Sequence, residues 1–157
     1  MPQPPDLVEY NGKWEPYRDQ LYGIFHADFV ASCPHFRGSK VVLGHQRVID
    51  GKEWVFWHII QEGEDEQNRL PNFRRCERIR WVRFVIENAD GGHVKVWENR
   101  RGRDTRICLC YGDWEYLVIL TKRQTHLILV TAYPVEYGWT KKKLQKEYND
   151  YIAKSAR

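Results

Sequence analysis

Apolar positions recur with two periods along this chain. From Trp14 onward the spacing is three and four: Leu21, Ile24, Phe25, Ala27 and Phe29 repeat, and Tyr17, Leu21, Phe25 and Phe29 lie at successive i+4 steps on one stripe. With Pro16 near the start and Pro34 past the end, this predicts a helix over 15–31. Lys40 to Leu43 reads as a short strand. Asp50-Gly51 is a turn signal, and Trp54 to Ile60 is aromatic and β-branched, so the two runs predict a hairpin. After the polar, acidic QEGEDEQNRLPN, the helical period returns in FRRCERIRWVRFVIENA. This predicts an amphipathic helix over 73–88, with Phe73, Cys76, Ile79, Val82 and Ile86 on its buried stripe and Gly91-Gly92 ending it.

Four strand-like runs follow, HVKVWENR, RICLCY, EYLVILTKR and HLILVTAYPVEY, joined by the short pieces RGRD, GD and QT. Connections this short make neighbours antiparallel, which predicts a four-stranded meander. A polar, basic helix, KKKLQKEYNDYIAK, closes the chain, with Leu144, Tyr148, Tyr151 and Ile152 placed to dock on the sheet. The expected class is therefore α+β: an N-terminal helix and short hairpin, a central arginine-rich helix, the meander and a C-terminal basic helix.

Length and composition narrow the picture. A chain of 157 residues, 42% hydrophobic and 14% aromatic, builds one core, so 14–157 is expected as a single domain behind a loose Pro-rich arm over 1–13. The longest apolar runs are strand-sized, which excludes a helical membrane span from the expectation. The first ten residues show neither a basic n-region nor an apolar h-region, which suggests a cytoplasmic protein, or a virion-associated or delivered one using a route that reads no such signal. Cys33, Cys76, Cys108 and Cys110 form no disulfide or zinc framework; Cys108 and Cys110 share one face of a strand, and all four read as small core residues. No metal and no cofactor is expected.

Charge is more informative. The net charge is only +4, yet residues 1–68 carry six bases against eleven acids, and residues 69–106 carry eleven bases, ten of them arginine, against five acids. An acidic front and an arginine-dense middle suggest a localised anion-binding face. Arginine in place of lysine points to phosphate, which its planar fork binds in bidentate fashion. Arg74, Arg75 and Arg78 share a ridge of the expected central helix, and Arg80 with Arg83 forms a second patch. The plain alternative is a solvated outer helix face.

Two other elements carry candidate chemistry. His58 lies in WVFWHII, where strand alternation puts it beside Trp54 and Phe56. A histidine among tryptophans is more often a half-buried structural residue than a catalyst, but it titrates near neutrality and is the natural proton carrier beside a phosphate. In HLILVTAYPV the alternation places Leu127, Leu129, Thr131 and Tyr133 on one face, so Thr131 and Tyr133 are the polar end of an apolar surface. Threonine is also simply a good strand former.

The words ERIRW, IENAD, VWENRRG, YLVIL and TAYPV, followed by a basic helix ending in KEY, resemble phage-associated proteins of the barnase–EndoU–colicin–RelE-like nuclease group over roughly residues 53–150. The resemblance implies a helical front on a curved sheet and metal-independent RNA cleavage, in which the 2′-OH attacks the neighbouring phosphate to leave a 2′,3′-cyclic phosphate. Carried over by position, it implies His58 as proton carrier, Arg78 and Arg123 as phosphate clamps, with Lys122 beside them, and Thr131 and Tyr133 as phosphate or 2′-OH contacts. RNA is the implied partner, and a toxin role would add an immunity or inhibitor protein. No barnase-like glutamate can be placed, and His126 opens a strand where relatives carry an aromatic. The rival readings are a non-catalytic nucleic-acid-binding or virion-associated module on the same fold, and a protein–protein adaptor, which the acidic front and many tryptophans would suit.

Overall fold

Tyr17, Leu21, Phe25 and Phe29 form the buried face of the first helix, α1 (Trp14–Phe29). The structure is a computed structural model that describes residues 2–156. Ahead of α1 the chain has no regular structure but is held to the body: Val8 is buried, its amide donates to the Glu77 carbonyl, and its own carbonyl accepts from the Tyr17 hydroxyl at 2.6 Å. The indole of Trp81 reaches the Pro5 carbonyl in the same way. The Pro-rich segment therefore covers the core.

A two-residue strand β1 (His35–Phe36) turns into β2 (Ser39–Val42), and β3 (Val48–Ile49) pairs with β4 (Lys52–Glu53). Asp50 and Gly51 link β3 to β4 with φ of 52° and 76°, the left-handed pair that a tight hairpin turn demands. The strand expected at 54–60 is a helix, α2 (Trp54–Ile60). Its buried residues are Val55, Phe56, Ile59 and Ile60, a helical spacing that the high β-propensity of these residues disguises. The Gln46 side chain accepts from the first-turn amide of Val55, so the start of this short helix is tied down from outside.

A small hairpin of β5 (Gln61–Glu62) and β6 (Leu70–Pro71) leads to the arginine-rich segment. The single helix expected over 73–88 is two helices, α3 (Phe73–Glu77) and α4 (Ile79–Glu87), because Arg78 leaves helical geometry at φ −101°, ψ 19°. Phe73 of the expected stripe is half exposed and packs on Tyr10, whereas Cys76, Ile79, Val82 and Ile86 are buried.

The last four runs are the strands β7 (Val94–Arg101), β8 (Asp104–Tyr111), β9 (Tyr116–Lys122) and β10 (Leu127–Pro134). They belong to a curled, mixed six-stranded sheet in the order β1-β2-β10-β9-β8-β7. Instead of pairing with residues 54–60, β2 runs parallel to β10 at Leu127 and Ile128 and covers part of what would be an open edge. The final helix is α5 (Gly138–Ser155).

Each face of the sheet has its own core. One packs against α1, α2 and α4 through residues such as Leu109, Val118, Leu120 and Ala132. The other holds Trp97, Cys108, Cys110, Leu117 and, from α5, Leu144. Tyr148 meets both Trp97 and Trp114 edge to face and pins α5 down, while Ile152 stays exposed. All four cysteines are free thiols, and burial pushes Cys76, Cys108 and Cys110 up to about 12. Among the described residues, no helix is long and apolar enough to cross a membrane.

Candidate functional site

A bulge in β10 creates the site. Leu129 pairs with Leu120, but Thr131 pairs with Ile119, so Val130 is an extra residue in the ladder. Leu127, Leu129 and Ala132 consequently face the first core, while Tyr133 stands opposite Leu117 on the second face. Strict alternation would have kept Tyr133 with Leu129. The bulge instead turns it toward α5, where a cleft of about 250 Å³ lies between the sheet and the first turns of that helix.

Cys108, Leu117, Ile119 and Tyr133 line the sheet side of this cleft, and Thr140, Lys143, Leu144 and Glu147 line the helix side. Three arginines enter it, Arg75 from α3, Arg101 from β7 and Arg106 from β8, together with Glu62 and Glu136. Asn99, also in the cleft, donates to Glu147 at 2.7 Å. Glu136 accepts from Asn72 at 3.1 Å and lies 3.6 Å from Arg74. Glu62 makes no side-chain hydrogen bond or ion pair among the described residues. Arg106 likewise has none, and its Nε is buried without an acceptor. A buried Nε without an acceptor carries a desolvation cost, and the rest of the Arg106 fork has no protein partner among the described residues, so it is free to meet an anion in the cleft.

Arg75 is half structural. Its Nη1 donates to the carbonyls of His58 and Gln61 at 3.1 and 2.8 Å, and Arg69 donates to the same two carbonyls. The two arginines thus cap the C-terminal end of α2, where a cation also suits the helix dipole. The Arg75 guanidinium then lies over Tyr133, 5.2 Å from the ring centroid, with its Nε buried and without an acceptor. Burial raises the Tyr133 phenol above its ordinary value, an effect that Arg75 opposes, so the hydroxyl remains protonated at neutral pH.

The residues singled out in the sequence separate into two groups. Arg75 and Tyr133 meet in the cleft, and His58 Nδ1 lies 3.5 Å from Thr131 Oγ1, on the edge of β10 that α2 flanks. The arginine ridge does not exist as a ridge: Arg75 turns inward, Arg74 faces solvent beside Glu136, and Arg78 stacks over Trp81 at the break between α3 and α4. Arg80 lines a separate hollow with Asp28 and Arg83. Lys122 pairs with Glu98 at 2.8 Å and Arg123 with Asp104 at 3.4 Å, and Asp104 and Arg123 line a second hollow to which Arg106 also contributes.

Arg101, Arg106, Lys143 and Glu62 escaped the reading of the sequence. For Arg106 a signal existed: the alternation that puts Cys108 and Cys110 on one face puts Arg106 there too. Among the described residues, no group of three or more His, Cys, Asp and Glu side chains is placed to hold a metal ion. Compared with known proteins, the chain matches no protein-family model, no curated protein and no solved structure.

Proposed function

We propose that the cleft binds the phosphodiester backbone of RNA and cleaves it by attack of the 2′-OH. The observation that carries this reading is Arg106: a guanidinium with a buried Nε and no acidic partner, in a cleft that also receives Arg75, Arg101 and Lys143. Phosphate oxygens are the acceptors that a convergent set of forks fits best. The N-terminus of α5 opens on the same cleft with no acid in its first turn, which adds partial positive charge. The resemblance to the barnase–EndoU–colicin–RelE-like group points the same way, with helices on a curled sheet and a cleft on one sheet face.

In this mechanism Glu62 takes the proton from the 2′-OH as the O2′–P bond forms. The arginines stabilise the charge that builds on the phosphorane-like transition state. As the P–O5′ bond breaks, Tyr133 gives its proton to the departing oxygen, leaving a 2′,3′-cyclic phosphate and a 5′-OH. The proton on Glu62 then returns to the Tyr133 phenolate through solvent. Thr131, in the same strand as Tyr133, and His58, which meets Thr131 from α2, position it.

The test is incubation of end-labelled RNA with the protein in EDTA, followed by product analysis. Wild type should yield 2′,3′-cyclic phosphate ends, and Arg106→Gln should weaken RNA binding and reduce its salt slope by about one. Binding without cleavage would make the domain a nucleic-acid-binding module instead. The absence of both binding and cleavage would overturn the reading.

A further inference from the structure

The most exposed large apolar side chain among the described residues is Trp139, at 71%, and Tyr137 beside it is 50% exposed. The two rings are stacked, with centroids 5.4 Å apart and planes 11° from parallel. Both lie on the lip of the cleft that holds Arg75 and Arg106, at the first turn of α5. Neither belongs to the two hydrophobic cores, and Trp139 has no other ring partner, so the pair contributes little to holding the fold together. Large aromatic surface left in water beside the unpaired Arg106 fits a ligand that is flat and apolar on one part and anionic on another.

We infer that Trp139, backed by Tyr137, stacks a nucleobase of an RNA strand whose phosphodiester lies against Arg106, so that the protein selects unpaired RNA over duplex. This rests on the reading of the cleft as an RNA-phosphate site. A base stacked on the indole extends the Tyr137–Trp139 column by one ring, and its backbone continues into the cleft. In a duplex both faces of each base are already covered by neighbours, so this contact is closed to paired RNA unless a base is flipped out. Since every base has a flat face, the platform supplies affinity for single strands with little preference among bases.

The test uses 2′-O-methyl strands, which bind but lack the attacking hydroxyl, in three forms: single-stranded, duplex, and an abasic backbone of the same length. Wild type should bind the single strand most tightly. Trp139→Ala should weaken single-strand binding about 5- to 100-fold, leave the abasic backbone unaffected, and keep the salt slope, since no phosphate contact is lost. Trp139→Phe should restore much of the affinity and Trp139→Leu little. Arg106→Gln should weaken all three probes. If Trp139→Ala binds the single strand as wild type does while Arg106→Gln loses it, the platform is wrong and the phosphate cleft stands. Tighter wild-type binding of duplex would also overturn the platform. If wild type binds none of the probes, the platform and the RNA reading of the cleft both fall.

Discussion

The guanidinium of Arg75 spans two regions at once, donating to the carbonyls of His58 and Gln61 at the end of α2 while lying over the ring of Tyr133. One side chain therefore joins the helix that flanks β10 to the phenol in the cleft. Arg75→Ala should lower unfolding free energy by about 1–3 kcal/mol, since hydrogen bonds from a charged donor are lost and Arg69 alone remains to cap the two carbonyls. Arg75→Lys should recover only part of this, because an ammonium lacks the fork. Urea denaturation measures both, and an unchanged midpoint for Arg75→Ala would show that the cap carries no stability.

Tyr133→Phe removes one oxygen and keeps the packing. If Tyr133 is the proton donor, single-turnover cleavage should fall about 10²- to 10⁴-fold while RNA affinity stays near wild type. His58→Ala should cost less than Tyr133→Phe. The reverse order would return the acid–base role to the histidine. Because burial raises the phenol, its loss of the proton, and with it the alkaline fall in rate, belongs above the ordinary tyrosine value of about 10.

Arg37 and Asp90 join the β1–β2 turn to the loop after α4, with a closest contact of 2.8 Å. The hydrogen bond from Arg37 holds the Asp90 carboxyl below its ordinary value. A carboxylate lowered in the folded state adds stability above its unfolded pKa of about 3.9, and that contribution is lost as pH falls through the lower folded value. Both partners are more than half exposed, so solvent screening limits the effect to less than about 1 kcal/mol. Thermal melts of wild type and Asp90→Asn should differ slightly at pH 7 and converge at low pH. A gap that persists unchanged at low pH would mean that the ion pair is not its cause.

Deleting Val130 offers a test of the bulge. Without the extra residue the ladder runs regularly from the Leu129–Leu120 pair to the Thr131–Ile119 pair, and Tyr133 keeps its place opposite Leu117. The deletion variant should therefore still unfold cooperatively. Deleting Val118 from β9, where no residue is spare, should abolish folding, because part of that strand changes face. Circular dichroism during thermal unfolding separates the two. Loss of cooperative folding in the Val130 deletion would show that the bend itself is needed.

Local periodicity was enough for the elements whose burial follows their own spacing. The i+4 stripe of α1, the four last strand runs and the docking of Leu144 in α5 could all be read from the chain, because each needs only one apolar face. Four features depended on partners far away in sequence. Residues 54–60 have strand propensity but form α2, because Gln46 ties down their first turn and Arg69 and Arg75 cap their last. The arginine-rich segment breaks at Arg78, which sends Arg75 into the cleft and leaves Arg74 outside. Strand β2 lies against β10, and not against residues 54–60, because β10 has an edge to fill. The extra residue at Val130 reverses the face of Tyr133, which no alternation rule could anticipate, since a bulge is set by the pairing of two strands and not by either alone. Local pattern alone predicted an α+β chain with an arginine-dense middle. Which arginines are unpaired, and that Arg106 and Tyr133 share one cleft with Glu62, was decided only when the sheet curled and α5 closed over it.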